Sequence, residues 1–379
     1  MHYFNQAAGG LSHDSVIAAI TQHLQAEQTI GSYRAAHAAQ AQLQALYRHI
    51  ADLLHCAPSE IALTTGNSHG WNSVVASFPW QLGDKVLVTP GEWGGNLAML
   101  QQLERRHGIE VITLPNHAQG GFDLAALQQR LQADPRIRML CLTWLPANGS
   151  CLYPAAAIGA LCAQYGVVYV VDAAQALGHL PVDVQALQCD ALSAPGRKWL
   201  CGPRGTGLLY VHPRLLAQLQ PITVDHRSCP IGSQGAQLRT DTLVLESSEH
   251  SFALRMGLKA ALEQALTAGW PARWQAIAHQ AQQLRQGLQA MAHVQLHDAD
   301  DSVATCGIVC FSVAGLDATA VQAQLQAQGV DIAVHAPPFT PLDSQARQLP
   351  SVARAAVSAT TGDSDVHALL QAVRHLHPV

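Results

Sequence analysis

The sequence predicts an α/β protein with a large domain on a mostly parallel sheet and a smaller α+β domain behind it. Three observations carry this. From Glu60 to Val211, short apolar runs alternate with helical runs, as in "EIALTTGNSHGWNSVVASF", "DKVLVTPGEWGGNLAMLQQLERRHG" and "VVYVVDAAQALG". Each strand is almost wholly apolar, the pattern of a sheet covered on both faces. Near Ile222–Leu243 the alternation gives way to a polar, irregular stretch, and a mixed pattern follows. At 379 residues, finally, the chain exceeds one ordinary core. The expected boundaries are 15–245 for the large domain and 246–379, joined by 1–14, for the small one.

The elements follow in order. "LSHDSVIAAITQHLQAEQ" reads as a helix with a Ser/Asp cap, and "AQLQALYRHIADLLHC" as an amphipathic helix. Two strand–turn–helix units come next, then the strands "IEVITLP" and "RMLCLTWLP", the helix "AAAIGALCAQYG" and the strand ending at Asp172. After the polar stretch, "SSEHSFALRMGLKAALEQAL" and "WPARWQAIAHQAQQLRQGLQAM" are helical. "GIVCFSVAG", "VDIAV" and "ARAAVSAT" are strands, with "DATAVQAQLQAQG" a helix between the first two.

Composition excludes several classes. Hydrophobic residues make up 49% of the chain and charged ones 12%, which describes a packed interior. The net charge is −5 and no basic stripe alternates with aromatics, so nucleic acid is not an expected partner. No apolar run is long enough to span a membrane, and the N-terminus lacks the regions of a signal peptide. The nine cysteines are odd in number, lie mostly in apolar runs and form no C-x-x-C. Reduced core thiols in a reducing compartment, the cytoplasm, are expected, and no metal site.

Lysine is rare here: Lys85, Lys198 and Lys259 are the only three. Lys198 sits in "GRKWLCGPRG", a turn of Gly, Pro and Trp before another apolar strand. Asp172 ends a buried strand, where ligands of open parallel sheets bind, and a buried carboxylate needs a partner. "TTGNSH" joins a strand to a helix. Asn67 and Ser68 there offer backbone N–H groups, a hydroxyl and the helix dipole to an anion. A lysine for a Schiff base, an acid for a pyridinium nitrogen and a phosphate cup together fit pyridoxal 5′-phosphate (PLP). Arg197 adds positive charge beside the lysine, which lowers its pKa, and lies within reach of a phosphate.

The stretch from Val170 to Val211 resembles the class-V aminotransferases, fold-type I PLP enzymes. The resemblance implies that Lys198 is the Schiff-base lysine. It likewise pairs Asp172 with the pyridine nitrogen, Gln175 with the phenolic oxygen, and Asn67 and Ser68 with the phosphate. Arg354 is implied to clamp the substrate carboxylate, a task suited to a bidentate guanidinium. A homodimer with shared active sites is implied too. The chain departs from the cysteine desulfurases: "VDIAVHAPPFTPLDSQARQLPS" lacks their nucleophilic cysteine, and glycine stands in "EWGGN" for their stacking histidine. Trp93 is the alternative stacking residue, with a core role equally open.

"PGEWGGNLAML", "RKWLCGPRGTG" and "ESSEHS" are similar to the ergothioneine-pathway C–S lyases. The expected activity is thus β-elimination on an S-substituted cysteine or cysteine sulfoxide, giving pyruvate and ammonia. Tyr33, Asn148 and Glu249 are candidate substrate contacts beside Arg354. A class-V epimerase or aminotransferase, a desulfurase-like enzyme and a non-catalytic PLP-binding protein are the alternatives. An epimerase needs a second base, for which Tyr33, His37 and His335 are the candidates.

Overall fold

The computed structural model describes residues 1–116, 121–298, 301–303 and 306–376. The last three residues of the expected small domain, 377–379, lie outside them. The strands are β1 (His2–Tyr3), β2 (Ile61–Thr64), β3 (Lys85–Val88), β4 (Glu110–Thr113), β5 (Ile137–Thr143), β6 (Val168–Asp172), β7 (Ala191–Pro195), β8 (Gly207–Val211), β9 (Ile231–Gly232), β10 (Gly235–Ala236), β11 (Val294–Leu296), β12 (Ile308–Val313), β13 (Val330–Asp331), β14 (Ala333–His335) and β15 (Val352–Ala356).

Seven of them form the large sheet, in the order β2-β8-β7-β6-β5-β3-β4. All run parallel except β8, which is antiparallel to both neighbours. The chain between Pro195 and Gly207 is too short for a crossover helix, so β8 can only return alongside β7 in the opposite direction. Strand side chains alternate between two cores. Leu87, Leu140 and Tyr169 face one layer of helices, while Val86, Met139 and Val170 face the other. This two-sided burial is why the strands read as unbroken apolar runs.

The second sheet, β11-β12-β15-β14, is antiparallel throughout. Helices Trp270–Gln289, Ala318–Ala327 and Asp363–Arg374 cover it. Phe4 and Ala7 belong to this core, in line with the N-terminal residues joining the small unit. Helix Phe252–Ala268, assigned to the small unit from sequence, instead packs Met256, Leu258 and Leu262 into the large-sheet core. We therefore propose Gly269, which links it to the next helix, as the place where the chain changes cores. Among the described residues no helix is long and apolar enough to cross a membrane.

Candidate active site

The parallel strands end on one side of the sheet, where the loops after β5, β6 and β7 begin. Thr143 ends β5, Asp172 ends β6, and the lysine turn follows β7. A cavity of about 320 Å³ opens over these ends, lined by Ser68, Trp93, Asp172, Gln175, Arg197 and Lys198, among others. These six and Asn67, all singled out from sequence and scattered over more than a hundred positions, thus line one cavity.

Lys198 is half-buried, and burial pushes its amine down to about 7; Asp172 opposes the shift, while Arg197 and Arg354 add to it. Near neutral pH a large share of it is therefore the free amine. The N-terminal segment holds the lysine turn from behind. Gln6 Nε2 donates to the Lys198 carbonyl (3.0 Å) and Gly10 N to that of Arg197 (2.7 Å). A Cβ on Gly10 would stand 2.6 Å from the Lys198 carbonyl oxygen, so only glycine allows this approach.

Asp172 is buried and well supplied with donors. Asn67 Nδ2 (2.8 Å) and Asn96 Nδ2 (2.9 Å) both donate to Oδ2, and Ala174 N donates to Oδ1 (2.9 Å). Ser193 Oγ in turn donates to Asn67 Oδ1 (2.8 Å), which fixes that amide's orientation. Here the structure departs from the sequence reading. The Asn67 side chain orients the acid, and what remains of it for an anion is the backbone N–H at the helix start. Gln175 is also engaged: its Nε2 donates to Ala7 O (3.1 Å), and its Oε1 accepts from Trp199 Nε1 (2.8 Å).

The anion end is richer than expected. Ser68 lies in the first turn of helix Asn67–Ser77, and Arg204 lines the cavity with Arg197. Neither guanidinium has a carboxylate partner among the described residues. Burial, and then the Arg204 charge, lower the Arg197 pKa. Two like charges held together without a counter-ion are suited to a dianion such as phosphate. Sequence reasoning missed Arg204, although "GPRG" placed it in the same turn as the lysine.

The candidate substrate contacts are spread more widely. Arg354, on β15, is buried; its NH1 donates to the carbonyl of Ala147 (2.9 Å), a cavity residue, and its Nε has no partner. Trp93 lines the cavity and stacks on Phe339 with ring centroids 5.4 Å apart. Asn148, by contrast, spends its amide on Asp343 (2.7 Å) and its carbonyl on Ser150 N (3.2 Å), away from the cavity lining. Glu249 lies in a neighbouring pocket that shares Thr65, His69, Gly205 and Thr206 with the cavity. Tyr33 is 93% exposed and does not line the cavity of its own chain. His335 is buried against Phe339 and Thr340, and burial pushes its imidazole down to about 3.

The donor set fits pyridoxal 5′-phosphate: an amine of lowered proton affinity, a carboxylate held by three donors, and a dicationic cup at a helix start. The family model of class-V aminotransferases matches residues 2–369. The chain belongs to this family. Over 218 residues it is 34% identical to a probable hercynylcysteine sulfoxide lyase of Mycobacterium tuberculosis, covering 58% of this chain and 53% of that one. It is 32% identical to a cysteine desulfurase of Pectobacterium atrosepticum, covering 58% of this chain and 55% of that one. The chain thus spans about half the length of these curated relatives. Solved structures match along nearly the whole length. A cystine C–S lyase, C-DES, in complex with its reaction product cysteine persulfide superposes with a TM-score of 0.88 at 26% identity, covering 100% of this chain and 98% of that one. The apo cysteine desulfurase of Thermococcus onnurineus gives 0.90 at 21% identity, covering 99% and 95%. The fold is therefore that of the fold-type I enzymes.

Proposed function

We propose that this class-V family member is a PLP-dependent carbon–sulfur lyase acting on an S-substituted cysteine or cysteine sulfoxide. Bound PLP would take the substrate amine in covalent linkage and accept the electrons left on Cα. The chain's own residues do the rest. Asp172, held by Asn67, Asn96 and Ala174 N, keeps the ring nitrogen protonated. Ser68, the helix N-terminus, Arg197 and Arg204 hold the phosphate. Arg354 holds the substrate carboxylate, and Lys198 removes the Cα proton. The Cβ–S bond then breaks, its electron pair leaving on sulfur as a sulfenate or thiolate. The released enamine hydrolyses to pyruvate and ammonia.

The observation that carries lyase over desulfurase chemistry is the state of Cys310, paired with the carboxylate arginine across β12 and β15, and of Cys306 just before β12. Cys306 and Cys310 are buried, and burial raises both thiols, that of Cys310 to about 12, against the opposing pull of the nearby guanidiniums. Such thiols are inert, whereas a desulfurase needs a reactive thiolate. β-Elimination needs none. Likewise none of the three candidate second bases, Tyr33, His37 and His335, lines the cavity of its own chain; His69 is the imidazole that does. The similarity to a hercynylcysteine sulfoxide lyase supports an ergothioneine-type sulfoxide as substrate. A homodimer acting in the cytoplasm completes the reading.

The test is product analysis. The PLP-loaded protein, given hercynylcysteine sulfoxide and simpler cysteine sulfoxides, should release pyruvate and ammonia in equal amounts. Alanine with sulfane sulfur would move the chain to the desulfurases, and racemised substrate to the epimerases.

A further inference from the structure

Behind Asp172 lies a second carboxyl that the mechanism above does not use. Glu92 is completely buried. Its Oε1 accepts from Asn96 Nδ2 (2.8 Å), Thr143 Oγ1 (2.6 Å) and Trp93 N (3.2 Å), and its Oε2 from Thr143 N (3.2 Å). Four donors aimed at one buried carboxyl make a built charge site. The same Asn96 Nδ2 also donates to Asp172 Oδ2 (2.9 Å). Both hydrogens of one amide are thus spent on two carboxyl groups. Asn96 Oδ1 is left buried without a partner, so nothing else in its surroundings orients the amide.

We propose that Glu92 is a positioning residue which, through Asn96, sets the charge that Asp172 presents to the cofactor ring. Asp172 acquires a cationic partner when PLP binds; Glu92 has none. Its charged neighbour is Asp172, the nearby Cys141 thiol being held protonated by burial, and it forms no ion pair among the described residues. Burial, reinforced by Asp172, holds the Glu92 carboxyl up at about 7 against the pull of its donors. The group therefore changes charge in the working range of pH, and Asn96 hands that change to Asp172. When Glu92 is ionised, the pair strengthens protonation of the cofactor; when neutral, it weakens it. The inference rests only on PLP occupying the cavity and holds for any substrate.

The readout is the pH titration of the visible absorbance of the PLP-bound protein. A protein that shows no visible band with PLP would refute the cofactor reading itself, a different failure from a band that does not shift. E92Q removes the titrating charge while keeping the shape. It should lower the midpoint of the titration by about half a pH unit or more, the scale of one charge acting through a protein interior. In an N96A background the same substitution should shift it far less, because the relay is gone. An unchanged midpoint in E92Q, with normal thermal stability, overturns the proposal. An equal shift with and without Asn96 overturns the relay. Should E92Q fail to fold, T143V gives a second test. Losing one donor raises the proton affinity of Glu92, so the midpoint must move the same way, and no movement refutes the coupling.

Discussion

A lysine serves as a base only if part of it is neutral when the substrate arrives. Burial and the two guanidiniums of Arg197 and Arg354 supply that for Lys198. Lys198→Ala should lose the visible band of the bound cofactor and slow turnover by at least ~10²–10⁴-fold, the worth of a positioned general base. A normal rate would remove Lys198 from the mechanism. Arg204 makes a separable prediction. Arg204→Ala removes one charge-assisted contact, worth about 1.5–3 kcal/mol, so apo-protein titrated with PLP should bind it roughly 10–100-fold more weakly while keeping the lysine linkage. An unchanged Kd would free Arg204 from the cup. Lys198, Asp172 and Ser68 could be singled out because each has a local signal: a rare residue in a glycine turn, an acid at a strand end, a polar residue at a helix start; Gln175 came only from the family resemblance. The roles of Asn67, Asn96 and Asn148 were not legible. Each depends on a partner at least 76 residues away, such as Asp343 for Asn148. Only the spacing of Glu92 and Asn96, one helical turn apart in "EWGGN", was there to be read.

Two elements owe their placement to single polar or glycine positions. Glu246, buried and given no role from sequence, accepts from Tyr47 OH (2.5 Å), Leu63 N (2.7 Å) and Arg255 NH2 (3.1 Å). It ties helix Gln40–Leu54, β2 and helix Phe252–Ala268 together just before the chain enters the phosphate cup. Glu246→Ala would leave Arg255 buried without a counter-charge and should cost about 3–5 kcal/mol of stability, measurable by urea unfolding. A loss below ~1 kcal/mol, the scale of a surface pair, would show that the hub is solvated. The second element is the loop Pro337–Phe339. A Cβ on Gly94 would meet the Pro338 carbonyl at 2.2 Å, so this glycine lets the loop rest on the helix that follows Trp93. Gly94→Val should push the loop away, unstack Phe339 from Trp93 and change the Trp fluorescence, with substrate KM rising more than kcat falls. The sequence showed the glycines in place of a histidine. It did not show what they make room for, because the loop arrives from more than 240 residues further on.

At the scale of the molecule, the site lies where two cores meet, and one histidine spans them. His179 stacks on Trp199, beside the lysine, with ring centroids 3.8 Å apart. Its Nε2 accepts from Gly307 N (2.8 Å), next to β12 of the small sheet, so Nδ1 carries the hydrogen and donates to Gln175 O (2.8 Å). The ring therefore works only as the neutral form, and burial pushes it down to about 4. An unfolded histidine titrates near 6.5. Between these values the unfolded chain holds the extra proton, so stability rises with pH there. The contribution is complete above about pH 6.5 and drains away as pH falls toward 4. From pH 7.5 to pH 5 this one group should withdraw about 2 kcal/mol of unfolding free energy. His179→Phe keeps the stack and loses both hydrogen bonds. It should be less stable at pH 7.5 by about 1–3 kcal/mol, yet lose less on acidification than the parent. His335, buried and pushed down in the same sense, is untouched by the substitution and leaves its own share of the acid sensitivity in both proteins. Equal acid sensitivity of parent and variant would show that the junction opens before the imidazole is protonated, and that His179 is packing rather than a latch between the two cores.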